Sequence, residues 1–223
     1  MGEVERRIMH YSSNQKILLA GEGDFSFSAC LATAFGSATK IFATSLDSKE
    51  SLLRKYAQAE RHLKHLEVLG CTVVHEVDAG SMSQHLLLGL ESFDRIASTS
   101  HMLVLTSESE TMFKSCGFVL GCDTHKVLVG KFLRNAKEML AEDGEIHITH
   151  KTLYPFSEWN IEKLAARVGL IRMEREYFRK RDYPGYENKR GDGPDSDATF
   201  HIGSCSTFKF AKYFLYNGAS FEL

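Results

Sequence analysis

Lys16-Ile17-Leu18-Leu19-Ala20-Gly21-Glu22-Gly23-Asp24-Phe25-Ser26-Phe27-Ser28 is the stretch whose reading decides the fold. A short apolar run that halts at a glycine is the pattern of a strand buried on both faces. After the turn at 21–24, Phe25 to Phe35 reads as a helix closed by Gly36. A strand handing over to a helix through a glycine-rich turn is the opening unit of an α/β domain.

The same unit recurs on either side. Ile41 to Leu46 reads as a second strand ending at Asp47, and Leu52, Tyr56, Ala59, Leu63 and Leu66 follow at helical spacing before Gly70. Cys71 to Val77 is a third strand ending at Asp78, a helix is expected over 82–90, and Phe93-Asp94-Arg95-Ile96 opens a fourth strand. Residues 125–140 are amphipathic, Gly144 to Thr149 is a fifth strand, and Ser157 is placed to cap a helix carrying Ile161, Leu164, Ala165 and Val168 and ended by Gly169. Leu170 to Phe178 and Cys205 to Phe214 are the last two strands, with a polar loop rich in Gly and Pro between them. Strict alternation of strand and helix predicts a doubly wound, mostly parallel seven-stranded sheet; the last two strands, with no helix between them, predict an antiparallel pair at one edge. The expected organisation is an N-terminal extension over 1–15, one domain over 16–214 and a tail over 215–223.

Composition agrees with one self-sufficient domain. The chain has 223 residues, 43% apolar and 25% charged, with 3 prolines, which excludes a disordered or fibrous protein. A chain of this length hides roughly 70% of its unfolded surface. A net charge of −2 gives no global basic field for nucleic acid, though a local patch remains open. No apolar run reaches the length of about 18 residues that crosses a membrane. The start lacks the apolar region of a secretory signal, Arg6 stands where a myristoylation signal wants Ser or Thr, and Phe221-Glu222-Leu223 forms no prenylation box. Cysteines 30, 71, 116, 122 and 205 are odd in number and contain no Cys-x-x-Cys pair, which fits reduced thiols inside a cell. His147 and His150 would face opposite sides of a strand, so no metal is expected.

In doubly wound sheets ligands bind at the carboxyl ends of the strands, beside the first crossover. Gly21 and Gly23 allow a tight turn and close approach, but Ser26 stands where a dinucleotide fingerprint has its third glycine. Glu22 and Asp24 would repel a pyrophosphate and attract a cationic cofactor, which argues for S-adenosylmethionine, with its ammonium and sulfonium, over NAD or FAD. The cofactor candidates are therefore Gly21, Glu22, Gly23, Asp24, Phe25 and Ser26, with Asp47 for the ribose hydroxyls and Asp78 for the adenine amine. Each has a plain structural alternative: the acids of the turn complement the helix dipole, Asp47-x-x-Glu50 is a capping box, and Asp78 makes an Asx turn before Gly80.

Ile17 to Ser28 and Ala43-Thr44-Ser45-Leu46-Asp47-Ser48 closely resemble the 25S ribosomal RNA uridine-N3 methyltransferase-like family. So do Phe93 to Ile96, Gly144 to Thr152, Asp182 to Gly191 and Cys205 to Phe210. The resemblance implies a Rossmann-like enzyme that uses S-adenosylmethionine to methylate a uridine ring nitrogen in large-subunit ribosomal RNA. It implies a nucleolar or nuclear location, with the cytoplasm as the alternative. Lys151, at the end of the fifth strand, is a candidate for RNA phosphate or the acceptor base, with a solvated strand-end lysine as the alternative. In the late loop Tyr183, Tyr186, Lys189 and Arg190 interleave rings with cations, as single-stranded RNA sites do and as solvated loops also do. The catalytic residue is open.

The resemblance breaks over 97–124. Family members continue the fourth strand into Phe-Asn-Phe-Pro-His-Ala-Gly-Phe, which lines the pocket for the target base; this chain reads Ser98-Thr99-Ser100-His101-Met102-Leu103-Val104. Written as TTC AAC TTC CCA CAT GCT GGT TT and shifted by one base, the family motif translates as Ser-Thr-Ser-His-Met-Leu-Val. Residues 97–124 are therefore expected to be an out-of-frame translation, whether a gene-model or splice artefact or a lesion, and neither helical nor strand periodicity runs through them. His101 aligns with the family's proline and is not taken as a base. Transfer would then be impaired; the competing function is a non-catalytic RNA- or protein-binding module that keeps the fold. Sequencing the transcript across this stretch is expected to show bases gained or lost relative to close paralogues, and an undisturbed frame refutes the shift.

Overall fold

The structure, a computed structural model, describes residues 4–98, 118–191 and 193–213, with the side chains of 118–124 excepted. Most of the segment 97–124, His101, Cys116 and the tail 215–223 therefore lie outside the described residues or side chains.

A hairpin of β1 (Arg7–Ile8) and β2 (Tyr11–Ser12) precedes β3 (Ile17–Leu19). Then come α1 (Ser26–Phe35), β4 (Ile41–Thr44), α2 (Lys49–Lys55), α3 (Ala59–Val68), β5 (Thr72–Val74) and β6 (Phe93–Ser98). The chain continues through α4 (Phe118–Met139), β7 (Leu140–Lys151), α5 (Ile161–Arg167), β8 (Leu170–Tyr177) and β9 (Cys205–Lys212). The sheet has seven strands in the order β5-β4-β3-β6-β7-β9-β8. β3, β4, β5, β6 and β7 pair in parallel, and β9 lies antiparallel between β7 and β8. The chain winds outward from β3 to β5, then returns to lay β6 on the other side of β3. That reversal opens a crevice at the carboxyl end of β3, where the turn at 21–24 sits.

The alternation of β3 builds both cores. Ile17 and Leu19 join a cluster with Phe27, Leu31 and Tyr11, while Leu18 and Ala20 join Ile96, Phe132, Ile146 and Trp159 on the opposite face. Tyr11 is 1% exposed, and its hydroxyl is 3.2 Å from His147 Nδ1. The N-terminal extension is thus packed into the domain as a hairpin.

Three local expectations are revised, two of them by longer-range bonds. The helix expected to carry Leu52 to Leu66 breaks into α2 and α3, where the Ala57 amide donates to Asp197 Oδ2 (3.2 Å) of the late loop instead of continuing the helix. The helix expected over 82–90 is a single 3-10 turn, Met82–Gln84. Asn135 Oδ1 of α4 takes both the amide and the hydroxyl of Ser83, and Leu86, Leu87 and Leu90 are left exposed, so no apolar stripe pays for a helix there. Ser157 lies in the 3-10 turn Phe156–Trp159, and it is Asn160 that caps α5 by accepting from the Lys163 amide. Tyr11→Ala is expected to cost about 3 kcal/mol or more in urea unfolding, as removal of a buried aromatic ring does; a loss below about 1 kcal/mol would show that the hairpin does not belong to the core.

Candidate cofactor site

Gly21 takes a φ of 78°, which a residue with a Cβ adopts only under strain. A Cβ on Gly23 would stand 3.3 Å from the Tyr56 hydroxyl. The Glu22 amide donates to Thr44 O (2.7 Å), tying the turn to the end of β4. Both carboxylates of the turn point back at α1. Glu22 Oε2 accepts from the Ser28 amide (3.1 Å) and hydroxyl (2.9 Å), and Asp24 Oδ1 accepts from the Ser26 amide (3.0 Å). First-turn amides of a helix lack intrahelical partners, and these acids supply them. Asp24 Oδ2 is different: it is buried, has no hydrogen-bond partner among the described residues, and lies 4.0 Å from His62 Nδ1, which is bonded to the Asp24 carbonyl (2.7 Å). Phe25 and Ser26 are buried, with the Phe25 ring against His75.

Asp47 lies just beyond β4. Its Oδ1 is 2.6 Å from Lys55 Nζ and 3.4 Å from Ser51 Oγ, and both contacts leave Oδ2 aside. Ser48, and not Asp47, caps α2 by accepting from the Ser51 amide. Asp78 is exposed and accepts from the Gly80 amide (2.8 Å), the Asx-turn geometry. The Val77 amide donates to Ser45 O (3.0 Å), so the segments carrying Asp47 and Asp78 run side by side.

The late loop folds onto this turn. The Glu187 amide donates to Ser26 Oγ (3.0 Å), Ser26 Oγ donates to Glu187 O (3.1 Å), and Tyr56 OH donates to Gly191 O (3.2 Å). The tyrosines proposed to stack on RNA are core residues: Tyr183 is 3% exposed and stacks on Phe178, and Tyr186 is 6% exposed with its ring edge-on to Phe27. Burial pushes the Tyr183 hydroxyl well above its ordinary range. Lys189 Nζ is 2.7 Å from Asp197 Oδ1, which ties its charge inside the loop. Of the late-loop candidates Arg190 alone is exposed. Lys151 Nζ sits 5.0 Å from the ring centres of both Phe156 and Phe200, and burial lowers its pKa.

Several residues at this end carry no sequence signal. His62, which reaches Asp24, is one of ten histidines without a motif. On the α4 side of β7, His125 Nε2, His150 Nε2 and Trp159 Nε1 are buried without hydrogen-bond partners among the described residues, and burial holds both imidazoles neutral, down at about 4. His147 lies on the other face against Tyr11. Among the described residues no group of three or more His, Cys, Asp or Glu could hold a metal ion.

A parallel sheet closed by one antiparallel strand, with a glycine turn at the switch point after its first core strand, defines the Rossmann-like methyltransferase class. Residues 18–190 match the BMT5-like family, described as rRNA (uridine-N3-)-methyltransferase BTM5-like, and the chain belongs to it. The "Uncharacterized protein At4g26485" of Arabidopsis thaliana is 48% identical over 209 residues, 93% of this chain and 98% of that one. "Heavy metal-associated isoprenylated plant protein 41" of the same plant is 46% identical over 94% of this chain, which spans 39% of its length. Among solved structures, a TehB-like SAM-dependent methyltransferase from Corynebacterium glutamicum superposes with a TM-score of 0.51 at 17% identity, over 89% of this chain and 80% of that one. That likeness shows the fold.

Burial lifts the Glu22 carboxyl from its ordinary 4.5 to about 7; the Ser28 bonds oppose the shift and Asp24 adds to it. Between those values the unfolded chain has lost a proton that the folded chain keeps, so stability falls as pH rises through the window. Glu22→Gln keeps an acceptor for Ser28 and cannot ionise. Urea unfolding is expected to show this variant gaining about 2–3 kcal/mol on the wild type between about pH 5 and pH 8; parallel pH profiles would overturn the assignment.

Proposed function

We propose that this chain binds S-adenosylmethionine at the turn 21–26 and descends from enzymes that methylate N3 of a uridine in large-subunit ribosomal RNA, with transfer impaired here by the altered tip of β6. The observation that carries the reading is the match to the family over 18–190 together with the place of the turn at the switch point. One domain over 16–214, joined by the hairpin before it, is the unit of function. The location that follows from such a substrate is intracellular, in the nucleolus or nucleus. Among the described residues no helix is long and apolar enough to cross a membrane.

The residues fit the cofactor. Bound there, S-adenosylmethionine supplies a methyl carbon made electrophilic by its sulfonium. Asp24 Oδ2 is a buried carboxyl oxygen with no hydrogen-bond partner among the described residues, which is what a cationic ligand completes. Gly21 and Gly23 keep side chains out of the backbone's approach. Asp47 Oδ2 is an acceptor for ribose hydroxyls and Asp78 for an exocyclic amine. Glu22 contributes by fixing the turn against α1. The late loop, held by Ser26 and Tyr56, covers the turn and helps exclude water. Lys151 and Arg190 are the cations proposed to meet RNA at this end of the sheet.

Titration calorimetry of this chain with S-adenosylmethionine is expected to show binding, weakened about tenfold or more in Asp47→Ala through loss of a charged acceptor. Absence of binding overturns the cofactor reading. Replacing 98–105 by the family's Asn-Phe-Pro-His-bearing tip is expected to raise transfer to uridine-containing RNA. Binding without transfer in both forms would favour the non-catalytic module, for which the altered tip is the specific observation.

A further inference from the structure

On the face of the sheet away from the hairpin, α4 and α5 lie side by side, and two clefts run end to end between them. The first, of about 170 Å³, is lined by Lys126, Lys163, Arg167, Glu158, Trp159 and Asn160 among others. The second, of about 450 Å³, is lined by Arg134, Lys137, Arg167, Lys212, Glu138 and Val168. Arg167 borders both, so the clefts form one groove.

Six cations line the groove against two carboxylates, Glu138 and Glu158, in a chain whose formal charge is −2. Among the described residues Arg134, Lys163 and Arg167 make no ion pair. Lys137 and Lys212 donate to the carbonyls of Val168 (2.7 Å) and Leu140 (2.6 Å), which hold the ammonium groups in place without cancelling their charge. The neighbouring Glu162 is engaged by Arg172 (2.9 Å). Complementing the two helix dipoles explains a cation or two in each last turn, not six around one groove.

The shape selects among anions. Lys126 and Arg134 are eight residues apart on α4, about 12 Å along its axis, and Lys163 and Arg167 about 6 Å along α5. That spread exceeds a single phosphate and suits a chain of them. Trp159, the one aromatic ring in the lining among the described residues, is 1% exposed, so those residues offer no ring face to a base. The groove can therefore grip a phosphodiester backbone without reading sequence. Its direction is also set. α5 runs antiparallel to β7, so the cleft at Asn160 lies at the carboxyl end of the sheet, where the glycine turn is, and the cleft at Val168 lies at the far end.

We propose that the α4/α5 groove is an RNA-backbone track that leads the substrate strand toward the cofactor end of the sheet. The proposal rests on the RNA-methyltransferase reading and adds a contact surface distinct from the late loop. The test is fluorescence anisotropy of a short labelled uridine-containing RNA across a salt series, with calorimetry of S-adenosylmethionine on the same proteins. Lys163→Glu/Arg167→Glu is expected to weaken RNA binding at least tenfold and to lower the salt slope by about 1.4, two single-strand phosphate contacts at about 0.7 each. Lys163→Gln/Arg167→Gln, gentler on the helix, is expected to move both readings the same way by less. Affinity and slope unchanged in both folded variants overturn the track, as does tighter binding of the wild type to phosphatidylserine vesicles than to RNA. Failure of the wild type to bind S-adenosylmethionine overturns the cofactor reading instead, and the salt slopes still judge the groove.

Discussion

A carboxyl group hidden beneath the first turn of α1 is the constraint to which the whole cofactor end answers. Glu22 offers one oxygen to both donors of Ser28, and Asp24 offers one to the Ser26 amide. With its acceptors drawn from the turn itself, the helix start and the turn become one rigid piece. Phe25 accepts a left-handed φ of 60° to complete it. Burying a carboxyl is costly, and the Ser28 bonds offset that cost only in part, so the Glu22 carboxyl is still raised to about 7. Among the described residues Asp24 Oδ2 is left without a hydrogen-bond partner, in the turn at the carboxyl end of β3.

The late loop depends on that piece in turn. Ser26 exchanges two bonds with Glu187, and Tyr183 and Tyr186 fill the space beside Phe27 and Phe178. The loop is thereby part of the core on the hairpin side of the sheet, while α4 and α5 cover the other side. The alternation of Ile17, Leu18, Leu19 and Ala20 divides these two bodies of apolar contact. His147 and His150 repeat the division on β7, one meeting Tyr11 and the other Trp159.

What could be read from sequence was what local pattern controls. The apolar run at 16–20, the turn and Gly36 place β3 and α1 to within a residue, and the strand–helix rhythm gives the layered sheet. The insertion of β9 between β7 and β8 has no local cue, because pairing partners are chosen across the fold. The break between α2 and α3 is imposed by Asp197, a residue 140 positions away. Cations beside Tyr183, Tyr186 and Lys189 suggested a wet loop, yet burial there is decided by Phe27, Phe178 and Asp197. The turn's two acids were legible as a pair; which oxygens serve α1 and which stays unpartnered was not.

The order of strands has a consequence for how the chain is made. β8 has its hydrogen-bonded neighbour in β9, which leaves the ribosome after the other strands of the sheet, and the loop that locks Ser26 and Tyr56 is spelled out between them. A nascent chain that has emerged only as far as α5 holds the glycine turn but not its cover, and exposes the flank of β7 that β9 will occupy. Assembly around the glycine turn thus waits on the late loop and β9, so truncation before them removes the cover of the turn along with an edge of the sheet.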